Sequence, residues 1–96
     1  MLWLYKHYKD NLGKRYTPKL VYMTYYFTPK IRQEIGKRIK KIRRTKKYKQ
    51  VEVAVAAGLN TSYYGKIERG IVNPSIEKIY RIIRALEIRS SEILPF

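Results

Sequence analysis

The stretch that decides the fold runs from Gly58 to Gly70 and reads GLNTSYYGKIERG. Its end glycines can take the positive φ angle at which helices stop, and Asn60 can cap a helix by accepting from free backbone N–H groups. Tyr64 and Ile67 lie three residues apart and share an inward face. The outer faces carry small, hydroxyl and cationic side chains that fit a DNA major groove: Thr61, Ser62, Gly65, Lys66 and Arg69. The alternative is an ordinary capped surface helix, and the flanking sequence decides between the two.

Composition limits the class of protein. Ninety-six residues make one compact domain, with room for a tail. The absence of cysteine excludes disulfides, thiolate metal sites and cysteine catalysis. No apolar run approaches the roughly 18–20 residues of a membrane span, and lysines follow the short apolar start too soon for a signal peptide. We therefore expect a cytoplasmic, nucleoid-associated protein that does not bind a membrane.

Positive charge is concentrated just before the stretch from Gly58 to Gly70. The chain has 22 Lys and Arg against 7 Asp and Glu, for a net charge of +15. Residues 31–50 hold ten of the basic residues and one of the acidic ones. Such a block favours a polyanionic partner, while the simpler interpretation is a solvated face.

Apolar spacing predicts helices on both sides of the stretch. Residues 31–45 and 75–86 each carry a stripe at helical intervals, formed by Ile31, Ile35, Ile39 and Ile42 in the first and by Ile76, Ile79, Ile83 and Leu86 in the second. Residues 50–57 alternate valine as a strand would, but their alanines and the following Gly58 favour a short helix. With a helix over 61–69 and a last turn starting at Ser90 or Ser91, the sequence predicts an all-α, five-helix domain over residues 31–96.

Residues 1–30 form a basic, aromatic N-terminal extension. Pro18 and Pro29 oppose a continuous helix, so we expect an arm with a short strand, or a disordered segment. Its aromatic residues could stack on bases or pack on the domain. Met23 is a candidate natural start, because the chain beyond this methionine already contains a complete module.

The order of these elements resembles a known family. Residues from Ile35 to Leu94 resemble the phage-repressor and Cro type of helix-turn-helix domain, called the XRE family or lambda-repressor-like fold. The matching pieces are Gln50-Val51-Glu52-Val53-Ala54, Ala57-Gly58-Leu59, Lys66-Ile67-Glu68-Arg69-Gly70 and Asn73-Pro74-Ser75, together with the isoleucine and arginine pattern of the first helix.

The resemblance implies roles for individual side chains. Base reading falls to Thr61, Ser62 and Lys66, and Gln50 is expected to contact the edge of a base or a phosphate. Arg43 and Glu68 match a pair that commonly forms a structural salt bridge between the first and third helices. We assign DNA phosphate contacts to Lys37, Arg38, Lys41, Lys46, Lys47, Lys49, Tyr63 and Arg69. The chain departs from the family at Lys47, where a glycine is frequent, and at Lys49, where serine or threonine often caps the second helix.

The sequence thus predicts a transcriptional regulator, a repressor that binds a palindromic double-stranded operator as a homodimer. Apolar candidates for the dimer contact are Ile82, Ile88, Ile93, Leu94 and Phe96, unless they complete the core. Alternatives are a restriction–modification controller, a DNA-binding antitoxin with a toxin protein as partner and, from another class, a basic protein that binds RNA or anionic surfaces without sequence preference. The sequence argues against an enzyme, because it contains no catalytic, cofactor or metal motif.

Overall fold

The computed structural model describes residues 25–96 and contains four α-helices followed by a 3-10 turn. We name the helices α1 (Pro29–Thr45), α2 (Gln50–Ala56), α3 (Thr61–Glu68) and α4 (Ile76–Leu86), and the 3-10 turn spans Ser90–Glu92. The all-α prediction is confirmed for this part of the chain. The predicted fifth helix is a 3-10 turn, because only two residues separate it from the left-handed Glu87 and Pro95 soon follows.

Side-chain caps start three of the four helices. The hydroxyls of Thr28 and Ser75 and the amide oxygen of Asn60 each accept from a backbone N–H three residues ahead, at 3.2–3.3 Å. Pro29 occupies the first turn of α1, so this helix begins two residues earlier than predicted. Lys49 supplies no cap to α2, although Glu52 accepts from the Lys49 backbone N–H at 2.9 Å. Half of a capping box is therefore present.

Within residues 25–96, an apolar core lies between the helices. It contains Ile35, Ile39, Val53, Ala54, Ala57, Tyr64, Ile67, Ile79, Ile82, Leu86 and Ile93. The predicted stripe of α4 is corrected at its start, because Ile76 is 78% exposed whereas Ile82 is fully buried. The buried face of α4 is Ile79, Ile82 and Leu86, with Ile83 at its edge. Ile82 therefore belongs to the core of the protomer.

Backbones approach closely where α1 crosses the end of α3. A side chain on Gly36 would collide with the backbone carbonyl of Glu68 and lie 2.5 Å from the carbonyl oxygen of Ile67. Gly70 ends this segment with a φ of 69° and packs against Gln33. The two glycines fix how deeply α3 sits against α1.

The connection between α1 and α2 turns at Lys47, which has a φ of 62°. This is the left-handed region, in which an ordinary side chain is strained. The family resemblance placed a glycine near this position, and the backbone conformation explains why.

Replacing Lys47 with glycine should raise the free energy of unfolding by up to about 1 kcal/mol, because glycine takes a positive φ without steric cost. Lys46 is the matched control, since its φ of −82° suits any residue and glycine there should destabilise the fold. Thermal denaturation of both variants measures the difference. A Lys47→Gly protein less stable than the Lys46→Gly protein contradicts the expectation.

The N-terminal expectations fall largely outside the described residues. Tyr25–Thr28 have no regular secondary structure and are exposed, so the short strand that was one expectation for residues 1–30 does not include them. The rest of the arm, and the suggestion that Met23 is the natural start, lie outside residues 25–96.

Candidate nucleic-acid interface

The outer side of α3 presents the short polar face that the sequence predicted. Thr61, Ser62 and Lys66 are exposed, whereas Tyr64, Ile67 and Glu68 are buried on the opposite side. The tight turn before the helix is made by Gly58 at a φ of 66° and is followed by the Asn60 cap. The first two residues of α3, Thr61 and Ser62, follow this turn and are exposed.

A buried ion pair ties α3 to α1. The Arg43 guanidinium donates to both carboxylate oxygens of Glu68, with Nε to Oε2 at 2.6 Å and Nη2 to Oε1 at 3.1 Å. Its Nη1 donates to the Tyr48 carbonyl at 2.9 Å, so the same side chain also holds the connection to α2. The predicted pairing of Arg43 with Glu68 is present. Its forked geometry fixes the rotation of α3 about its own axis.

Gln50 completes this cluster from the first turn of α2. Its amide nitrogen donates to Glu68 Oε1 at 2.9 Å. The hydrogen bond from Arg43 to Glu68 raises the pKa of the guanidinium. Burial by itself raises the pKa of the Glu68 carboxyl, but the hydrogen bonds from Arg43 and Gln50 outweigh it and leave that pKa lowered. The cluster is thus held in its charged form.

Tyr64 lies against the ion pair from within the core. Its side chain is fully buried, and its hydroxyl makes no hydrogen bond of good geometry. Burial raises the pKa of the Tyr64 hydroxyl, which therefore stays neutral.

The structure places Gln50 and Arg69 beside each other at Gly65. A Cβ on Gly65 would lie 3.3 Å from Arg69 Nη1 and 3.7 Å from Gln50 Oε1. Arg69 follows Gly65 by four residues, so its side chain reaches back over this glycine towards the helix N-terminus. The sequence placed Arg69 on the outer side of this helix and assigned it to phosphate, but it did not predict that Arg69 and Gln50 meet over Gly65.

Tyr63 borders the other edge of this face. It is half-buried, and the Lys78 ammonium of α4 lies 4.4 Å from the centre of its ring. This distance is typical of a cation–π contact. Sequence reasoning missed Lys78, because nothing in the chain signals that these two distant positions meet.

The basic residues of α1 do not share one side of the helix. Gly36 and Arg43 mark the side that faces α3. At about 100° per residue, Arg38 and Lys41 lie roughly 140–160° from that side, and Lys37 lies about 100° from Gly36. Arg38 pairs with Glu34 at 3.0 Å. Arg38 and Lys41 therefore lie on the far side of α1 from α3, where they line one groove together with Lys46.

The connection contributes the cations closest to the second helix. Lys46, Lys47 and Lys49 are exposed and precede Gln50 directly. They extend the candidate interface along the N-terminal end of α2, where backbone N–H groups also favour an anion.

The structure corrects the predicted dimer contact at two positions. Ile82 and Ile93 are fully buried in the protomer core and offer no surface to a second copy. Ile88 and Leu94 are half-buried, and Phe96 is 80% exposed. Leu94 and Phe96 line one groove, beside α1 and the start of α4, while Ile88 lines another beside Arg38. The remaining candidates thus form two separate patches.

Two further features concern metal and membrane. Within residues 25–96, no three or more His, Cys, Asp or Glu side chains are grouped as a metal site would need. Over the same residues, no helix has the length and apolar content required to cross a membrane.

Acid should destabilise the native protein through Glu68. The pKa of this carboxyl in the folded protein lies below its usual 4.5, so its ionised form stabilises the fold. That stabilisation is complete above the pKa of the unfolded state and is lost as the pH falls through the pKa of the folded state. Below about pH 4.5, the free energy of unfolding should fall more steeply in the wild type than in Glu68→Gln. Urea titrations between about pH 3 and 7, with the exposed Glu77→Gln as control, measure the slopes. Equal slopes for the wild type and Glu68→Gln would rule out this role.

Comparison with known proteins agrees with the geometry of this face. The profile of the helix-turn-helix family HTH_3 matches residues 39–93. The immunity repressor protein of Bacillus phage phi105 is 42% identical over 60 residues, which are 62% of this chain and 42% of the repressor. The chain thus spans less than half of that relative's length. Control protein C.BamHI of Bacillus amyloliquefaciens is 33% identical over 70 residues, which are 72% of this chain and 86% of the relative.

A solved structure is similar over the same region. The restriction-modification controller protein C.AhdI from Aeromonas hydrophila superposes with a TM-score of 0.63 at 34% identity, covering 65% of this chain and 94% of the controller. Both its fold and its sequence therefore match the described domain. The chain belongs to the helix-turn-helix, or XRE, family of DNA-binding transcriptional regulators.

Proposed function

We propose that this protein is a sequence-specific transcriptional regulator, a repressor that seats α3 in the major groove of a double-stranded operator. The observation that supports this most directly is the exposed face of Thr61, Ser62 and Lys66, held at a fixed rotation by the Arg43–Glu68 pair. A helix of this size fits the major groove, where base edges can be distinguished. Action on DNA places the protein in the cytoplasm, at the nucleoid.

Affinity and specificity come from different residues in this proposal. The exposed lysines of the α1–α2 connection neutralise phosphates and attract any sequence. The hydroxyls of Thr61 and Ser62 are permissive donors and acceptors, and Lys66 can donate to guanine O6 or N7. The net charge of +15 favours fast, salt-sensitive association.

Selection of binders from random duplex DNA by the full chain tests the proposal. A two-fold symmetric consensus is the expected result, because one module contacts too few base pairs to specify a site. Enrichment of no sequence would favour the alternative of an RNA- or surface-binding basic protein. A reporter gene placed behind the selected site then distinguishes repression from activation.

Lys66→Ala should reduce the preference for the selected operator over random duplex by about 5- to 150-fold, because it removes a contact to base edges. Lys41→Ala removes the same charge from the far side of α1 and is the matched control. It should change binding to both duplexes equally. Fluorescence anisotropy at fixed ionic strength measures both variants. Equal losses for Lys66→Ala on operator and random DNA would contradict a reading role for this lysine.

Homodimerisation is the second part of the proposal. Of the initial candidates, Ile88, Leu94 and Phe96 keep surface that a second copy could contact. Analytical ultracentrifugation of the wild type and of Phe96→Ser, with and without operator DNA, tests this. Because Phe96 is largely exposed, its replacement leaves the core intact. A monomer at all concentrations in both conditions would contradict dimerisation.

The names of the relatives favour two variants of this role. One relative is a phage immunity repressor and another is a control protein, so repression of a promoter and control of a neighbouring gene are both consistent with the domain. An antitoxin would additionally bind a toxin protein. Co-purification of a product of a neighbouring gene would reveal that partner.

A further inference from the structure

The surface around Gly65 holds two side chains that converge from different helices. Gln50 arrives from α2, and Arg69 arrives from the end of α3. A Cβ on Gly65 would lie 3.3 Å from Arg69 Nη1, 3.7 Å from Gln50 Oε1 and 3.9 Å from Gln50 Nε2. We name the space above Gly65 that these groups share the Gly65 notch. It exists only because residue 65 has no side chain.

From these contacts we infer that Arg69 reads a guanine through the Gly65 notch, with Gln50 held beside it as a fixed hydrogen-bond acceptor. The inference rests on the proposed function and deepens it. It replaces the assignment of Arg69 to phosphate, and it gives Gln50 one defined role at the same site.

Arg69 reaches the reading residues along the exposed side of α3. Ser62, Lys66 and Arg69 follow one another at helical spacing on this side, so they form one stripe. Arg69 stands at the helix end, but its guanidinium bends back over Gly65, which brings Nη1 a full turn closer to the reading residues. A planar guanidinium matches the O6 and N7 acceptors of guanine with two parallel hydrogen bonds.

Glu68 fixes the orientation of the Gln50 amide. Glu68 is held as a carboxylate by Arg43 and can only accept hydrogen bonds. The Gln50 amide nitrogen must therefore face Glu68, to which it donates at 2.9 Å. This leaves Oε1 to face the notch as an acceptor. The acceptor can orient the neighbouring guanidinium or accept from a cytosine amino group.

No acidic side chain competes for Arg69 in the part of the chain that the structure describes. Among residues 25–96, the three ion pairs are Arg38–Glu34, Arg43–Glu68 and Arg81–Glu77, and none includes Arg69. Arg69 is an exposed residue, and its Nη1 stands over Gly65. Binding a base edge would therefore not require a salt bridge to break first.

The test compares Arg69→Lys, Gly65→Ala and the wild type on the selected operator and on operators with each base pair changed in turn. Arg69→Lys keeps the positive charge and removes the planar fork, so phosphate attraction is retained. Gly65→Ala keeps Arg69 but fills the notch, and the guanidinium must move. Both variants should lose about 5- to 150-fold of their preference for one G·C pair in each half-site. Binding to random duplex and its salt dependence should be unchanged.

Other outcomes separate failure of this inference from failure of the proposed function. If both variants keep every base preference of the wild type, Arg69 does not read a base. A third variant, Arg69→Ala, removes the charge itself. If it weakens binding to operator and random duplex equally and lowers the salt slope by about 1, Arg69 contacts phosphate only. If the wild type itself prefers no sequence, the proposed function fails and this inference fails with it. Circular dichroism confirms that each variant is folded.

Discussion

Replacing Arg43 with methionine should lower the free energy of unfolding by about 3–5 kcal/mol, because it leaves a buried carboxylate without its cation. The Glu68 side chain is only 1% exposed, so water cannot take the place of the guanidinium. Arg43 also donates to the Tyr48 carbonyl, and that hydrogen bond is lost in the same change. Urea denaturation at neutral pH measures the loss.

The matched control is Arg81→Met. Arg81 pairs with Glu77 at 2.7 Å, a distance close to that of the buried pair, but the two side chains are 44% and 69% exposed. An exposed pair contributes about 0–1 kcal/mol, so this variant should remain close to the wild type. Equal losses for Arg43→Met and Arg81→Met would show that burial is not what makes the inner pair important.

A double variant separates stability from positioning. In Arg43→Met combined with Glu68→Leu, no unpaired charge remains, and exchange of a buried pair for apolar residues is often neutral. Gln50 then loses the carboxylate that orients its amide. We expect a folded protein with stability recovered towards that of the wild type but with weaker discrimination between operator and random DNA. Recovery of stability together with full discrimination would show that the pair does not position the reading face.

Local signals in the sequence were sufficient to predict the turn and the reading helix. Gly58 and Gly70 both have the positive φ expected of helix stops, and Asn60 caps α3 as predicted. These features depend on neighbouring residues only, so the chain displays them directly. The Arg43–Glu68 pair is different, because its partners lie 25 residues apart and only the family resemblance connected them.

Tertiary packing decided the features that the sequence misassigned. In α4, Ile79, Ile82 and Ile83 fit two overlapping apolar stripes, and only the packing of the neighbouring helices selects Ile82 for the core. In α1, the lysines and arginines are equivalent by composition, yet only the close contact at Gly36 shows which side faces α3. The notch at Gly65 likewise requires two helices to be placed together before its two occupants meet.

Gly36→Ala should lower the free energy of unfolding by about 3 kcal/mol, at the upper end of what overpacking costs. The added methyl group would collide with the Glu68 carbonyl and lie 2.5 Å from that of Ile67. Both obstacles are backbone atoms of α3, which cannot rotate away as a flexible side chain could. The loss should appear although alanine favours a helix over glycine by about 1 kcal/mol.

Gly65→Ala is the natural control, because it makes the same chemical change in another buried helical glycine. Its methyl group would meet the movable end of Arg69 at 3.3 Å and no backbone of another helix. We expect this variant to be as stable as the wild type or more stable, by up to about 1 kcal/mol. Urea denaturation of the two proteins gives the comparison, and similar stabilities would mean that α1 and α3 can separate at little cost.

The effect of Gly36→Ala on binding depends on where the strain is placed. The methyl group pushes on the backbone of Glu68, the residue that holds both Arg43 and the Gln50 amide. Even under conditions in which the variant is folded, the rotation and depth of α3 should therefore change. Anisotropy below the thermal transition should show a loss of operator affinity larger than the loss on random duplex. A folded variant with unchanged preference would indicate that the cluster moves together with α3 and keeps the reading face intact.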